Sequence, residues 1–250
     1  MVKVGQNLEI SKAELIFKSP AGHEVYKQGG TIFINYNKEM LAFSTSQLNG
    51  GINKIQHSFN HQLAEWVETA EDLPGGSLQG YFEFNAKNLG LDVNKTTGLI
   101  TSASMDNVAI IRQRYRDTSL FALVTAGVGV NAVRAGESAT YDEIYYGKFV
   151  PVAGTINIIL VLEFAVPIEC LARTAIVVTE AKTAALQDLN IKSSFSEGGA
   201  TGTGTDGLIV VCDVDDKYSF SDVGPQSKLG ELICTIVKKG VIEALTKDEL

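Results

Sequence analysis

The segment Thr155–Phe164 constrains the fold more than any other stretch of this chain. It reads TINIILVLEF, apolar and β-branched, interrupted by Asn157 and Glu163. The longest apolar run, Ile156–Val166, is too short to cross a bilayer, which takes about 20 residues. It therefore reads as a strong strand of a globular core. Pro167 suits the first turn of a helix, and helical spacing then continues to about Asn190.

The remaining elements fall on either side of this unit. Ala13–Lys18, Thr31–Tyr36 and Met40–Ser44 are short runs rich in aromatic or β-branched residues, and they predict strands. Apolar residues at 52, 55, 59, 63, 66 and 67 predict a helix over Ile52–Glu68. A second helix is expected from Ser77 to Leu89, stopping at Gly90. Strands follow at Gly98–Ala103, Val108–Tyr115 and Leu120–Val124, and residues 127–136 fit no element. After a polar, Tyr-rich connection at Tyr141–Gly147 and the central strand and helix, Ser193–Thr205 is a Gly/Ser/Thr loop. Asp206–Asp213 is a last strand, and Lys228–Leu245 a closing amphipathic helix. With no linker or repeat, residues 1–250 read as one mixed α/β (α+β) domain. Its sheet is expected to be mixed or antiparallel and covered by long helices.

Charge narrows the partners. The 21 basic and 29 acidic side chains give a net charge of −8, which repels nucleic-acid phosphates and anionic lipid. No Lys/Arg cluster with interleaved aromatics offsets it, so neither nucleic acid nor membrane insertion is expected; a homo-oligomer is compatible. Cys170, Cys212 and Cys234 have no metal-ligand spacing and read as small buried hydrophobes in a reducing compartment. Met1–Ile10 lacks the apolar region of a signal peptide. The final Lys247-Asp248-Glu249-Leu250 imitates a retention signal and reads as a fraying helix end. The expected location is cytoplasmic.

Standard catalytic signatures are missing: there is no nucleophile elbow, phosphate loop or His-Glu-x-x-His. His57 and His61, four apart, would share a helix face, so a metal pair is conceivable, but a polar or capping role is the simpler reading. In the helix after Pro167, Glu169, Arg173, Glu180 and Gln187 fall within about 40° of one another and form a solvated stripe. Glu169 can pair with Arg173 four residues on. The opposite stripe holds Ile168, Leu171, Ala175, Val178, Ala185, Leu186 and Leu189, with Lys182 in its middle. Such a lysine either snorkels at the edge or reaches into a pocket. The second half also gathers hydroxyl and amide residues among glycines: Thr125–Ala132, Gly154–Asn157 and Ala200–Asp206. Each abuts a strand, so their loops can meet at one sheet end, where glycine backbone and Thr or Asn side chains approach a ligand closely. Taken singly each is a tight turn. Asn157 stands out, because a buried amide without partners costs about 1–3 kcal/mol.

These residues carry a resemblance. The runs Gly154–Leu160, Thr179–Leu186, Thr201–Asp206, Gly98–Ala103, Val124–Ala132 and Ser227–Ile233, in that relation along the chain, resemble the adenosylcobinamide amidohydrolase (CbiZ) family. The likeness covers the chain from about residue 40 and is weakest over residues 1–40. It departs where family members often carry a histidine, here Gln226. The resemblance implies hydrolysis of the amide joining the corrin side chain to aminopropanol in adenosylcobinamide, giving adenosylcobyric acid, with the corrinoid as substrate and no cofactor. Held against that chemistry, the candidate catalytic residues are Lys182, Glu180, Asp206 and Asn157, and the candidate substrate contacts are Thr125, Asn131, Gly154, Thr155, Thr183, Thr203, Gly204 and Thr205. In one version Glu180 or Asp206 activates water, Lys182 stabilises charge or donates a proton, and Asn131 and Asn157 hold the oxyanion. In the other Thr155, Thr203 or Thr205 attacks, with Lys182 as base. Helix phase puts Glu180 and Lys182 about 160° apart, against a shared pocket. A non-catalytic corrinoid-binding module and an amidohydrolase of different specificity are the competing readings.

Overall fold

The computed structural model describes residues 13–63, 67, 69–140, 142, 153–215, 217 and 219–247. In chain order the elements are β1 (Glu14–Lys18), β2 (Glu24–Gln28), β3 (Thr31–Ser44), β4 (Gly51–Gln62), α1 (Leu78–Asn88), β5 (Thr96–Thr101), β6 (Ala109–Tyr115), β7 (Thr118–Gly127), β8 (Ala132–Val133), β9 (Thr155–Leu162), α2 (Ile168–Asp188), β10 (Gly202–Thr203), β11 (Gly207–Asp213) and α3 (Lys228–Lys247). Nine strands share one sheet, ordered β1-β2-β3-β11-β9-β7-β6, with β4 also paired to β3 and β5 to β4. The β4–β5 and β9–β11 pairs are parallel and the others antiparallel, so the sheet is mixed, as the sequence suggests. Strands β8 and β10 form a separate two-stranded ladder.

The long strand β3 joins two halves of this sheet. Thr31–Asn35 pair with β2, Met40–Ser44 pair with β11, and both stretches pair with β4 on the other side. The halves curl towards each other around a core containing Ile34, Met40, Ile55, Leu99, Phe121, Ile159 and Ile209. A larger core lies beneath α2 and α3, where Ile158, Leu160 and Val210 meet Leu171, Val178, Ile233 and Val237. On the outer face of the other half, Phe82 and Ala86 of α1 cover Phe33 and Phe59. Each such Ile, Leu or Phe contributes roughly 1.5–3 kcal/mol by leaving water. All eight residues of β9 are buried, since one face meets the helices and the other the opposing half-sheet. That explains its near-continuous apolar run.

The expected helix over Ile52–Glu68 is instead strand β4 as far as Gln62; residues 64–66 and 68 lie outside the described residues. The cause is a register shift. Asn35 pairs with His57 and Met40 with Ile55, so five steps along β3 match two along β4. The inward face of β4 therefore changes parity, from Ile55 to Ser58 and Asn60, and the apolar spacing imitates a helix. The α1 helix begins on Ser77, whose hydroxyl accepts the Gly80 N–H at 3.0 Å, and ends before Gly90 at φ +71°. The separate runs 31–36 and 40–44 are one strand, and β2, β8 and β10 have no counterpart in the sequence reading.

Helix α2 runs unbroken through the β-branched Ile176–Thr179. Its buried face is Cys170, Leu171, Thr174, Val177, Val178, Ala181, Lys182, Ala185 and Leu186. Ile168, expected among them, is 55% exposed, and Arg173 pairs with Asp222 at 3.2 Å rather than with Glu169. Of the Tyr141–Gly147 connection only Asp142 is described, and residues 248–250 also fall outside. Among the described residues no helix is long and apolar enough to cross a membrane.

Candidate functional site

Lys182 lies on the buried face of α2 and retains 9% exposure. Its ammonium does not snorkel outwards; it is ion-paired with Asp206 in the turn between β10 and β11. Asp206 gathers three further donors. Its Oδ1 accepts the Thr203 Oγ1–H at 2.5 Å and the Ile156 N–H at 3.1 Å, and its Oδ2 accepts the Thr203 N–H at 3.1 Å beside Lys182. Four donors fill the roughly four lone-pair positions of a carboxylate. The pair presses against Gly202, where a Cβ would lie 2.4 Å from Asp206 Oδ2 and 2.6 Å from Lys182 Nζ.

Beside this pair stands a group of short donors. The hydroxyls of Thr155 and Thr205 are hydrogen-bonded to each other, and Thr205 Oγ1 donates to the Gly154 carbonyl at 3.2 Å. Asn131 Nδ2 donates to that same carbonyl at 2.7 Å and to Thr205 Oγ1 at 3.2 Å. Gly154 sits at φ +119°, with its N–H on Ser102 Oγ at 2.9 Å, and a Cβ there would lie 2.4 Å from the Val128 carbonyl. The Gly204 N–H reaches the Asn131 carbonyl at 3.3 Å, and pairing of β8 with β10 sets Thr203 opposite Ala132. Three segments far apart in sequence thus meet at one end of β9, as their loops suggested.

Asn157 belongs to a second, wholly buried group between the sheet halves. Its Nδ2 donates to Asn60 Oδ1 at 2.9 Å and to the Ile100 carbonyl at 3.0 Å, while Asn60 Nδ2 donates to Thr125 Oγ1 at 2.8 Å. Asn157 Oδ1 is buried without a partner among the described residues and lies 2.6 Å from where a Cβ on Gly207 would sit. Asn60 and Ser102 were not anticipated; Asn60 lies in the segment misread as a helix, where its inward direction is invisible.

Two expected residues stand apart. Glu180 is exposed on the opposite side of α2 from Lys182; burial, and after it the charge of Glu180, raise the thiol pKa of Cys234 on α3. The structure does not bring it to the Lys182–Asp206 pair. Thr183 Oγ1 donates to the Thr201 carbonyl at 3.0 Å and ties α2 to the loop. Gln226 is exposed just before α3, and neighbouring Gly224 packs on Arg173. Arg173 precedes Lys182 by nine residues, about 13 Å along the helix.

The histidines serve other contacts. His57 Nδ1 meets Asn35 Oδ1 at 2.9 Å; His61 meets Thr31 Oγ1 at 2.7 Å through Nδ1 and Tyr81 Oη at 2.9 Å through Nε2. Burial pushes the His61 imidazole down to about 4, and burial likewise lowers His23 and His57. Burial raises the Cys212 thiol to about 11, so it stays protonated at neutral pH. Among the described residues no group of three or more His, Cys, Asp or Glu is placed to hold a metal ion.

Compared with known proteins, residues 16–249 match the family described as adenosylcobinamide amidohydrolase. The uncharacterized protein MJ1613 of Methanocaldococcus jannaschii is 33% identical over 234 residues, 88% of this chain and 87% of that protein. An adenosylcobinamide amidohydrolase of Methanosarcina mazei is 28% identical over 205 residues, 80% of this chain and 84% of that protein. Among solved structures, the PH0078 protein from Pyrococcus horikoshii OT3 superposes with a TM-score of 0.39 at 12% identity, covering 94% of this chain and 82% of that one.

Proposed function

Since this chain belongs to the adenosylcobinamide amidohydrolase family, we propose that it cleaves the amide between the corrin side chain and aminopropanol in adenosylcobinamide. The products are adenosylcobyric acid, for cobamide salvage in the cytoplasm, and aminopropanol. The observation that carries the mechanism is the hydrogen bond from Thr203 Oγ1 to Asp206, whose other oxygen is paired with Lys182.

Thr203 supplies the one hydroxyl among the four donors on Asp206. A water has no lone pair to occupy in this arrangement, so the nucleophile activated by Asp206 is Thr203. As the Thr203 Oγ1–C bond forms at the substrate carbonyl, Asp206 takes the hydroxyl proton. Negative charge develops on the carbonyl oxygen. The Lys182 ammonium has three N–H donors, and those not turned to Asp206 are available to that oxygen. The C–N bond then breaks, and the leaving amine takes the proton from Asp206. Water attacks the resulting Thr203 ester with Asp206 again as base, releasing the carboxylic acid and restoring the hydroxyl. The net change is amide plus water to acid plus amine. Asn131, Thr155, Thr205 and the backbone of Gly154 and Gly204 border the pair with donors and acceptors suited to the substrate's amide side chains.

The test is to incubate the full chain with adenosylcobinamide and resolve the corrinoids by mass-coupled chromatography. Adenosylcobyric acid is expected, with turnover reduced about 100-fold or more in Lys182→Ala and Asp206→Ala, a barrier increase near 3 kcal/mol. Thr203→Ala is expected to be inactive and Thr203→Ser partly active. Full turnover by Thr203→Ala would make water the attacking species. Corrinoid binding without any product would overturn the hydrolase reading in favour of a non-catalytic binding module.

A further inference from the structure

At the far end of β7 and β9 the curled sheet does not close. Its terminal strands in the pairing order are β1 and β6. Between them lies a cleft of about 400 Å³, bordered by Phe17, Pro20, Arg112, Arg114, Phe121 and Glu163. Register sets Arg112 opposite Phe121 and Arg114 opposite Ser119, so both arginine side chains rise from the same sheet face as the Phe121 ring. Half-buried Phe17 meets the fully buried Phe121 edge-on with centroids 5.2 Å apart, so Phe17 gives the cleft an aromatic wall backed by the core.

Neither arginine has an acidic partner among the described residues; the Arg114 Nε–H goes to the Arg116 carbonyl at 3.1 Å. Glu163, which continues β9 in line with Ser119 and Arg114 on the same sheet face, is already held by the Ser119 hydroxyl and by the Ala21 N–H at 3.2 Å. In a protein of net charge −8, two guanidinium groups with no ion-pair partner among the described residues, beside the Phe17 ring, form a local reversal of sign.

We infer that this seam is a second binding site, for a small flat apolar molecule bearing a single carboxylate or phosphate. The guanidinium forks of Arg112 and Arg114 match the oxygens of either anion. The Phe17 ring takes the flat body, and the Glu163 carboxylate disfavours a ligand with several negative charges. The site is independent of the hydrolytic reading. Thr155 beside the Lys182–Asp206 pair and Glu163 at the seam are eight residues apart on β9 and its extension, about 26 Å of strand.

The test is calorimetric titration of the full chain with 2-naphthoate, 2-naphthyl phosphate and the neutral 2-naphthylmethanol. Wild type is compared with the Arg112→Ala/Arg114→Ala double variant, whose two positions are exposed. One anionic probe is expected to bind one-to-one, to weaken about tenfold or more in the double variant, and to weaken in about 0.5 M salt. The neutral alcohol is expected to bind at least about tenfold more weakly. The tighter of the two anions identifies whether a carboxylate or a phosphate is the natural head group. Hydrolysis of adenosylcobinamide by the double variant is expected to match wild type. Equal affinity of wild type and variant, equal affinity of charged and neutral probes, or no saturable binding of any probe overturns the inference.

Discussion

The Lys182 ammonium and the Asp206 carboxylate meet against the Cα of Gly202, although 24 residues of chain separate them. Their side chains are 11% and 19% exposed. A pair this buried repays little of its desolvation cost, so it is weak as a stabilising device. On the mechanism proposed above, it provides a fixed charge and a fixed proton acceptor at one end of β9.

Gly202→Ala tests how closely that arrangement is set. The new Cβ would stand 2.4 Å from Asp206 Oδ2 and 2.6 Å from Lys182 Nζ. Lysine can swing away, but Asp206 is held by Thr203 and Ile156, so the pair opens. Turnover of adenosylcobinamide is expected to fall at least about tenfold, more than 1.4 kcal/mol of barrier, while thermal unfolding changes little. Unchanged kinetics would show that the contact of the two groups is dispensable.

Gly98→Ala probes the other half-sheet. The Phe59 ring lies against the Gly98 backbone, and an added Cβ would meet its Cζ at 2.3 Å. Phe59 is fully buried beneath α1, so it cannot retreat without disturbing Phe82. Urea unfolding is expected to show a loss of about 1–3 kcal/mol, partly recovered in Gly98→Ala/Phe59→Leu. Equal stability of the single variant and wild type would contradict the close approach.

His61 gives the protein an acid-sensitive term of known sign. Its folded pKa is lowered from 6.5 to about 4 by burial. Above pH 6.5 both folded and unfolded states hold it neutral, and the term vanishes. Between pH 6.5 and about 4 the unfolded chain takes up the proton and the native state does not, so stability falls as pH falls. Across that window the loss is roughly 3 kcal/mol. Wild type is expected to lose roughly 2–3 kcal/mol more than His61→Gln between pH 7 and pH 4.5, measured by urea unfolding. Parallel losses in the two proteins would remove His61 as the cause.

Gln226→His is expected to leave turnover unchanged within about twofold, a barrier change below 0.5 kcal/mol. The position is exposed at the start of α3, beside the Arg173 end of α2 and not the Lys182 end. A large gain of activity would show that catalysis extends to that end of the molecule.

Much of this architecture was legible because local patterns and tertiary burial agree. The eight buried residues of β9 read as a strand, and the phase of α2 separates Glu180 from Lys182 before any coordinates are known. Glycine-rich loops flanking strands correctly bring Asn131, Gly154, Thr155, Thr203 and Thr205 together. What was hidden depends on pairing. The parity change in β4 comes from its register against β3, and no periodicity within β4 itself reveals it. Asn60 was lost for that reason. The open seam beside Arg112 and Arg114 was equally invisible, because it exists only where the first and sixth strands face each other.

Strand β3 carries a consequence for synthesis. Met40–Ser44 emerges early from the ribosome, yet its partner β11 begins only at Gly207, so one edge of this stretch waits for most of the chain to be made. The same late strand supplies the parallel neighbour of β9 and follows directly on Asp206. Joining β3 to β9 and assembling the Lys182–Asp206 pair are therefore one late event, and a nascent chain halted before Gly207 presents two unsatisfied strand edges to its surroundings. Such a chain carries the hazard of edge-to-edge association before it carries the charged pair.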